Sequence, residues 1–256
     1  MTLKEFNIYK INRYNDIKTI DDFEEKAQEL CKGFEKSSFQ YLVSHYLSQR
    51  TPYRSLLLYY SVGVGKTCSA ITIAEGLLLN QNDYDEPMIW VILPSAIEAG
   101  FKNQIFDMMK FEDLSMIENQ CTGDTYAKLT QLSKDIDSKT GEKRIKKIIK
   151  SRYLFFTYEG FATFIENKYI SKNKLINDKV IIVDEAHNIR SDGDEEDDNK
   201  RVYTALIHVC RTGINNRLIL LTATPMYNEP SDIYNLIYLL LLNDKREHLF
   251  LSLIHI

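Results

Sequence analysis

The chain has 256 residues, a length that suits one large α/β domain or two small ones. Hydrophobic residues make up 44% of it and charged residues 27%, a globular balance that excludes a disordered chain. The net charge of −4 excludes a global pull towards nucleic acid and leaves any such contact to a local patch.

Residues 1–33 are polar and weakly patterned and read as an N-terminal extension with some helix. From there helical patterns and short apolar runs follow in turn: a helix over 39–47, a strand over 56–60, a helix over 67–79, a strand over 88–93 and a helix over 101–109. Next come a helix over 142–150, a strand over 153–157, a helix over 159–165, a strand over 180–183, a helix over 202–210, a strand over 218–221 and a helix over 233–242. Runs of four to six apolar residues between helices suit strands buried on both faces of a parallel sheet. The expected architecture is a doubly wound α/β sheet with its ligand at the carboxyl ends of the strands. Residues 134–152, with eight Lys or Arg, and 192–198, with six acids, read as solvated insertions, the basic one alternatively as a phosphate-contacting edge.

Other classes are excluded on composition. Cys31, Cys68, Cys121 and Cys210 form no CxxC pair, so neither a zinc site nor a disulfide framework is indicated, and an intracellular, reducing setting is expected. The first ten residues lack the apolar core of a signal peptide. The longest apolar run, 236–242, is far short of the ~20 residues of a spanning helix, so no membrane association is expected. Residues 251–256 match one reading frame of a common sequencing-library adapter, which makes them an expected non-native tail after a domain spanning 34–250.

Three segments carry chemistry. The apolar strand before Ser61, Val62, Gly63, Val64, Gly65, Lys66, Thr67 and Cys68 runs through a glycine-bearing turn into a helix, the setting of a phosphate-binding loop. There the glycines let backbone N–H groups curl round phosphates, Lys66 reaches the β- and γ-phosphates of ATP, and the Thr67 hydroxyl ligates Mg²⁺. A strict pattern wants glycine at Tyr60. Next, four apolar residues lead into Asp184-Glu185-Ala186-His187, placing adjacent carboxylates at a strand end: Asp184 for Mg²⁺ through water, Glu185 to orient the attacking water. The third, Leu221-Thr222-Ala223-Thr224-Pro225, is a strand ending in two hydroxyls and informs only by its order after the other two.

In that order the three segments resemble motifs I, II and III of the first RecA-like lobe of superfamily 2 helicases and translocases. The Swi/Snf-like branch fits best, through Pro94, Ile97, Phe101, Thr157-Tyr158-Glu159, Arg190 and Thr224-Pro225-Met226-Tyr227-Asn228, and in that branch the glycine at Tyr60 is commonly absent. Residues 53–58 and 223–230 are similar to transcription-associated ATPases of large DNA viruses, of the poxvirus early transcription factor small subunit and nucleoside triphosphatase I type. The resemblance implies that Gln40 reads adenine and that His187, Thr222 and Thr224 couple the site to motion. It implies that Pro94, Ser95, Gly123, Asp124, Thr157 and Tyr158 meet nucleic acid, expected to be double-stranded DNA. RNA polymerase or a transcription-factor subunit is the further partner, and host cytoplasm or virion the setting. The family places the nucleotide between two lobes and supplies arginine fingers from the second, so this lobe alone is expected to be inactive. The rival reading is a non-enzymatic, nucleotide-switched transcription-factor subunit that docks promoter DNA or polymerase.

Overall fold

The computed structural model describes residues 38–59, 65–78, 86–107, 120–131, 136–191, 197–226 and 232–253. In chain order the elements are α1 (Ser38–Tyr46), β1 (Ser55–Tyr59), α2 (Lys66–Leu78), β2 (Ile89–Ile92), α3 (Glu98–Ile105), α4 (Thr125–Thr130) and α5 (Ser138–Arg152). They continue with β3 (Tyr153–Phe156), α6 (Tyr158–Ile165) with a π-turn after it, β4 (Val180–Val183), α7 (Asp198–Thr212), β5 (Arg217–Thr222), α8 (Asp232–Asn243) and α9 (His248–Leu253). The five strands form one sheet in the order β1-β5-β4-β2-β3, every pair parallel.

The apolar runs become strands because both faces of the sheet are covered. Ile89, Val91, Val180, Ile182, Ile219 and Leu221 point into one core with α2 and α3. Their neighbours Trp90, Ile92, Ile181, Val183, Leu218 and Leu220 point into the other, with α6, α7 and α8. This period-2 alternation of fully apolar strands is what a two-faced sheet requires. Trp90 anchors the second layer, with Phe156, Phe161, Phe164 and Tyr169 ringed about it at 5.6–6.4 Å between centroids.

Two sequence expectations need correction. The basic segment is no insertion: its described part is α5, which buries Ile145 and Ile149 in the first core and turns Lys139, Lys143, Lys146, Lys147 and Lys150 outward. The helix expected over 142–150 is longer than that, amphipathic, and leads straight into β3. The cysteine reading also fails, since Cys68 and Cys121 are joined by a disulfide with 5.2 Å between their Cα atoms. They lie 53 residues apart, and spacing along the chain cannot report that α2 packs against the turn before α4. Cys210 is a buried thiol that burial pushes up to about 12, and Cys31 lies outside the described residues. The last expected helix, over 233–242, is α8, and a further short helix, α9, follows it.

Candidate nucleotide-binding site

The site forms where β1, β5 and β4 end side by side. Tyr60, Ser61, Val62, Gly63 and Val64 lie outside the described residues, which resume at Gly65. Gly65 has φ +85°, and a Cβ there would stand 2.9 Å from the Gln40 amide nitrogen, so left-handed backbone and close packing both demand glycine. Its carbonyl accepts from the Ser69 amide at 2.9 Å, the Ser69 hydroxyl at 3.0 Å and Gln40 Nε2 at 3.4 Å. α2 starts at Lys66 with no acidic side chain in its first turn, so the positive end of its dipole opens towards any anion at the loop. Gln40, the expected adenine reader, is buried against this loop.

Asp184 ends β4, whose four residues are all buried, and is itself only 7% exposed. Burial is the main reason its carboxyl is pushed up to about 6; the Glu185 amide and Lys66 pull it down, and the Glu185 charge raises it. Its Oδ1 accepts from the Glu185 amide at 3.0 Å. Glu185 takes a left-handed conformation, φ 52° and ψ 45°, and the chain then makes a 3₁₀ turn through Ala186–Asn188. His187 Nδ1 lies 3.1 Å from Thr222 Oγ1 at the end of β5 and 3.3 Å from Glu185 Oε2. Thr222 Oγ1 also accepts from the Thr224 amide at 3.1 Å.

Gly65, Lys66, Thr67, Asp184 and Glu185 line one cleft of about 520 Å³, together with Ala96 and Ile97 from the 3₁₀ turn before α3 and Gly100, Phe101 and Gln104 from α3 itself. The residues present fit Mg²⁺. A hydroxyl and a carboxylate are hard oxygen donors, and a cation that keeps most of its waters needs only one or two protein ligands beside phosphate oxygens. Ionised Asp184, buried and only partly offset by Lys66, is the group such a cation would stabilise. Thr67 and Asp184 would hold it.

The expected nucleic-acid residues fall into two places. Pro94-Ser95 and Thr157-Tyr158 follow the paired strands β2 and β3, tied by the Leu93 amide donating to the Phe156 carbonyl at 3.0 Å. Thr157 is exposed and caps α6, accepting from the Gly160 amide at 3.1 Å. Tyr158 instead turns inward, its hydroxyl 2.8 Å from the Asp184 carbonyl oxygen and 3.0 Å from that of Glu185. Gly123 and Asp124 sit elsewhere, in the turn before α4, where Asp124 pairs with Lys128 at 2.6 Å.

Sequence reasoning missed one buried network behind the site. Glu75, on α2, accepts from the hydroxyls of Tyr126 at 2.6 Å and Tyr153 at 2.8 Å and from the Arg152 guanidinium. The signal was there: Glu75 is the lone acid in the apolar stretch of α2.

A glycine-bearing loop opening a helix, beside a strand ending in paired carboxylates on an all-parallel sheet, defines a RecA-like P-loop lobe. The chain belongs to the SNF2-related domain family, whose domain matches residues 34–253. It is 28% identical over 91% of its length to "Putative ATP-dependent RNA helicase L377" of Acanthamoeba polyphaga mimivirus, covering 21% of that protein. It is 30% identical over 79% of its length to "Putative helicase 087L" of Invertebrate iridescent virus 3, covering 20% of it. It is 23% identical over 56% of its length to "Early transcription factor large subunit homolog" of African swine fever virus (isolate Tick/South Africa/Pretoriuskop Pr4/1996), covering 11% of it. The chain is thus a helicase-like ATPase domain with relatives in large DNA viruses, spanning about a fifth of the length of the helicases it matches. Among the described residues no helix is long and apolar enough to cross a membrane.

Proposed function

We propose that this domain binds Mg-ATP and hydrolyses it, within a longer protein, to drive movement on DNA during viral transcription. The observation that carries the proposal is the convergence of Gly65, Lys66, Thr67, Asp184 and Glu185 on one cleft. Lys66 offsets the charge of the β- and γ-phosphates, and the amides at the start of α2 hold them. Thr67 and Asp184 hold Mg²⁺, which supplies charge neutralisation on the transferring phosphoryl group. Glu185 orients the water attacking in line, and Gln40 meets the adenine. His187, Thr222 and Thr224 pass the state of the site to the end of β5, while Pro94, Ser95 and Thr157 face the nucleic acid.

The name of the African swine fever virus relative supports a role in transcription, and the names of the helicase relatives support action on nucleic acid. The same transcription-factor name also favours the second reading, a nucleotide-switched subunit without turnover. Substitutions separate these. Lys66→Ala is expected to weaken binding of a fluorescent ATP analogue by at least about tenfold, the scale of a lost charge-assisted phosphate contact, with the fold intact. Unchanged affinity in a folded variant would overturn the phosphate loop. Glu185→Gln in the full-length protein should keep Mg-ATP binding and lower turnover by about 10²-fold or more. If the full-length protein has no turnover for that substitution to lower, the switch reading stands instead.

A further inference from the structure

The two residues that follow β3 part company. Thr157 is exposed and caps α6, whereas Tyr158 runs beneath the acidic turn and brings its hydroxyl to the carbonyl oxygens of Asp184 and Glu185, at 2.8 and 3.0 Å. One phenol proton is shared between two acceptors, so this contact fixes the pair of peptide groups rather than either residue alone.

What the hydroxyl holds is a strained place. Glu185 stands at φ 52° and ψ 45°, a conformation that a residue with a Cβ keeps only when its surroundings impose it. On the other side of the turn His187 reaches Thr222 on β5. The acidic turn is therefore held at two points, by the end of β5 and by the end of β3, and β3 is three strands away from β5 in the sheet order.

We infer that Tyr158 is a positioning residue: its hydroxyl sets the direction in which Asp184 and Glu185 leave the backbone, and joins the exposed loop after β3 to the two carboxylates. The inference rests on the nucleotide-site reading above. It turns a residue expected at the nucleic-acid surface into the link between that surface and the metal ligand. The ring packs against the core formed with α6 and α7, so phenylalanine keeps the packing and removes only the bond.

The test is Tyr158→Phe in the 256-residue chain, with two probes. A fluorescent ATP analogue titrated in EDTA reads the phosphate loop alone, and Mn²⁺ titrated onto the analogue-bound chain, followed by electron paramagnetic resonance, reads the Asp184 side. Expected are analogue affinity within about twofold of the unsubstituted chain and Mn²⁺ affinity weaker by about five- to tenfold, the scale of one lost hydrogen bond. Amide hydrogen exchange over residues 184–188 should quicken while the unfolding midpoint stays put, a pattern that a purely structural role would not give. Asn188→Ala, which removes a side chain acting on the same hydroxyl, should weaken Mn²⁺ in the same direction and carries the test if the phenylalanine variant does not fold. Mn²⁺ affinity unchanged in a folded Tyr158→Phe chain overturns the inference and leaves the nucleotide site standing. Failure of the unsubstituted chain to bind the analogue in EDTA overturns both.

Discussion

At neutral pH the ionised Asp184 carboxylate works against the fold that contains it. Its carboxyl is pushed up to about 6, above the ordinary aspartate value near 4 that the unfolded chain has. Between those values the native state binds a proton that the unfolded state does not, so stability falls as pH rises through this window. The stability is fully present below about 4 and lost above about 6, with a full cost on the order of 2–3 kcal/mol for a group this buried. Asp184→Asn is therefore expected to stabilise the metal-free chain at pH 7–8 by about that amount and to flatten the acid slope, as read by urea unfolding. Mg²⁺ binding should show the opposite trend, tightening as pH rises through about 6, because only the ionised form ligates. An asparagine variant with unchanged stability at every pH would mean that the carboxyl is already compensated in the metal-free protein.

The elements behind the site depend on Glu75. Two tyrosine hydroxyls and the Arg152 guanidinium converge on its carboxylate from α4, β3 and the end of α5, and burial raises both phenols. Glu75→Ala would leave two buried tyrosine hydroxyls and a half-buried guanidinium around a void, which costs about 3–5 kcal/mol, the scale of breaking a buried ion pair from one side. Glu75→Gln keeps the shape and an acceptor oxygen and is expected to cost less than half of that. Thermal unfolding of both variants checks the ranking, and equal losses would reduce Glu75 to a space-filling role. Here the limits of the sequence are physical. The amphipathic spacing of α5 and the apolar runs of the strands are local properties, so the strands and the helices around them were legible to within a few residues. The partners of Glu75, the pairing of Cys68 with Cys121 and the inward turn of Tyr158 join residues 26–78 positions apart, and no local pattern encodes them. In the candidate site, the residues that line the cleft stood out in local motifs, because phosphate and metal chemistry would restrict their types. The left-handed Glu185 was not, since nothing in an Asp-Glu pair announces a positive φ.

At the scale of the whole molecule, the disulfide is a tie between layers of sequence that fold apart. It links the first turn of α2 to the turn before α4 and closes a loop of 53 residues. A loop of that length restricts the unfolded chain enough to contribute about 2–4 kcal/mol. Adding a thiol reductant, or Cys121→Ser, is expected to lower the unfolding midpoint accordingly, and peptide mapping without reductant should recover the Cys68 and Cys121 peptides as one species. Recovery of both as free thiols with an unchanged midpoint would contradict the pairing.

The strand order has a mechanical meaning as well. Lys66, Thr222 and Asp184 stand at or beyond the carboxyl ends of three strands that lie next to one another, β1, β5 and β4. Adjacent strands sit about 4.8 Å apart, held by a continuous ladder of hydrogen bonds. Spreading the base of the cleft would mean shearing that ladder, and β5 at its middle is buried along its whole length. In-plane compliance is therefore low. If the proposed nucleotide chemistry does work on this sheet, that work would leave along the strand axes, out of the top of the sheet, and not sideways through it.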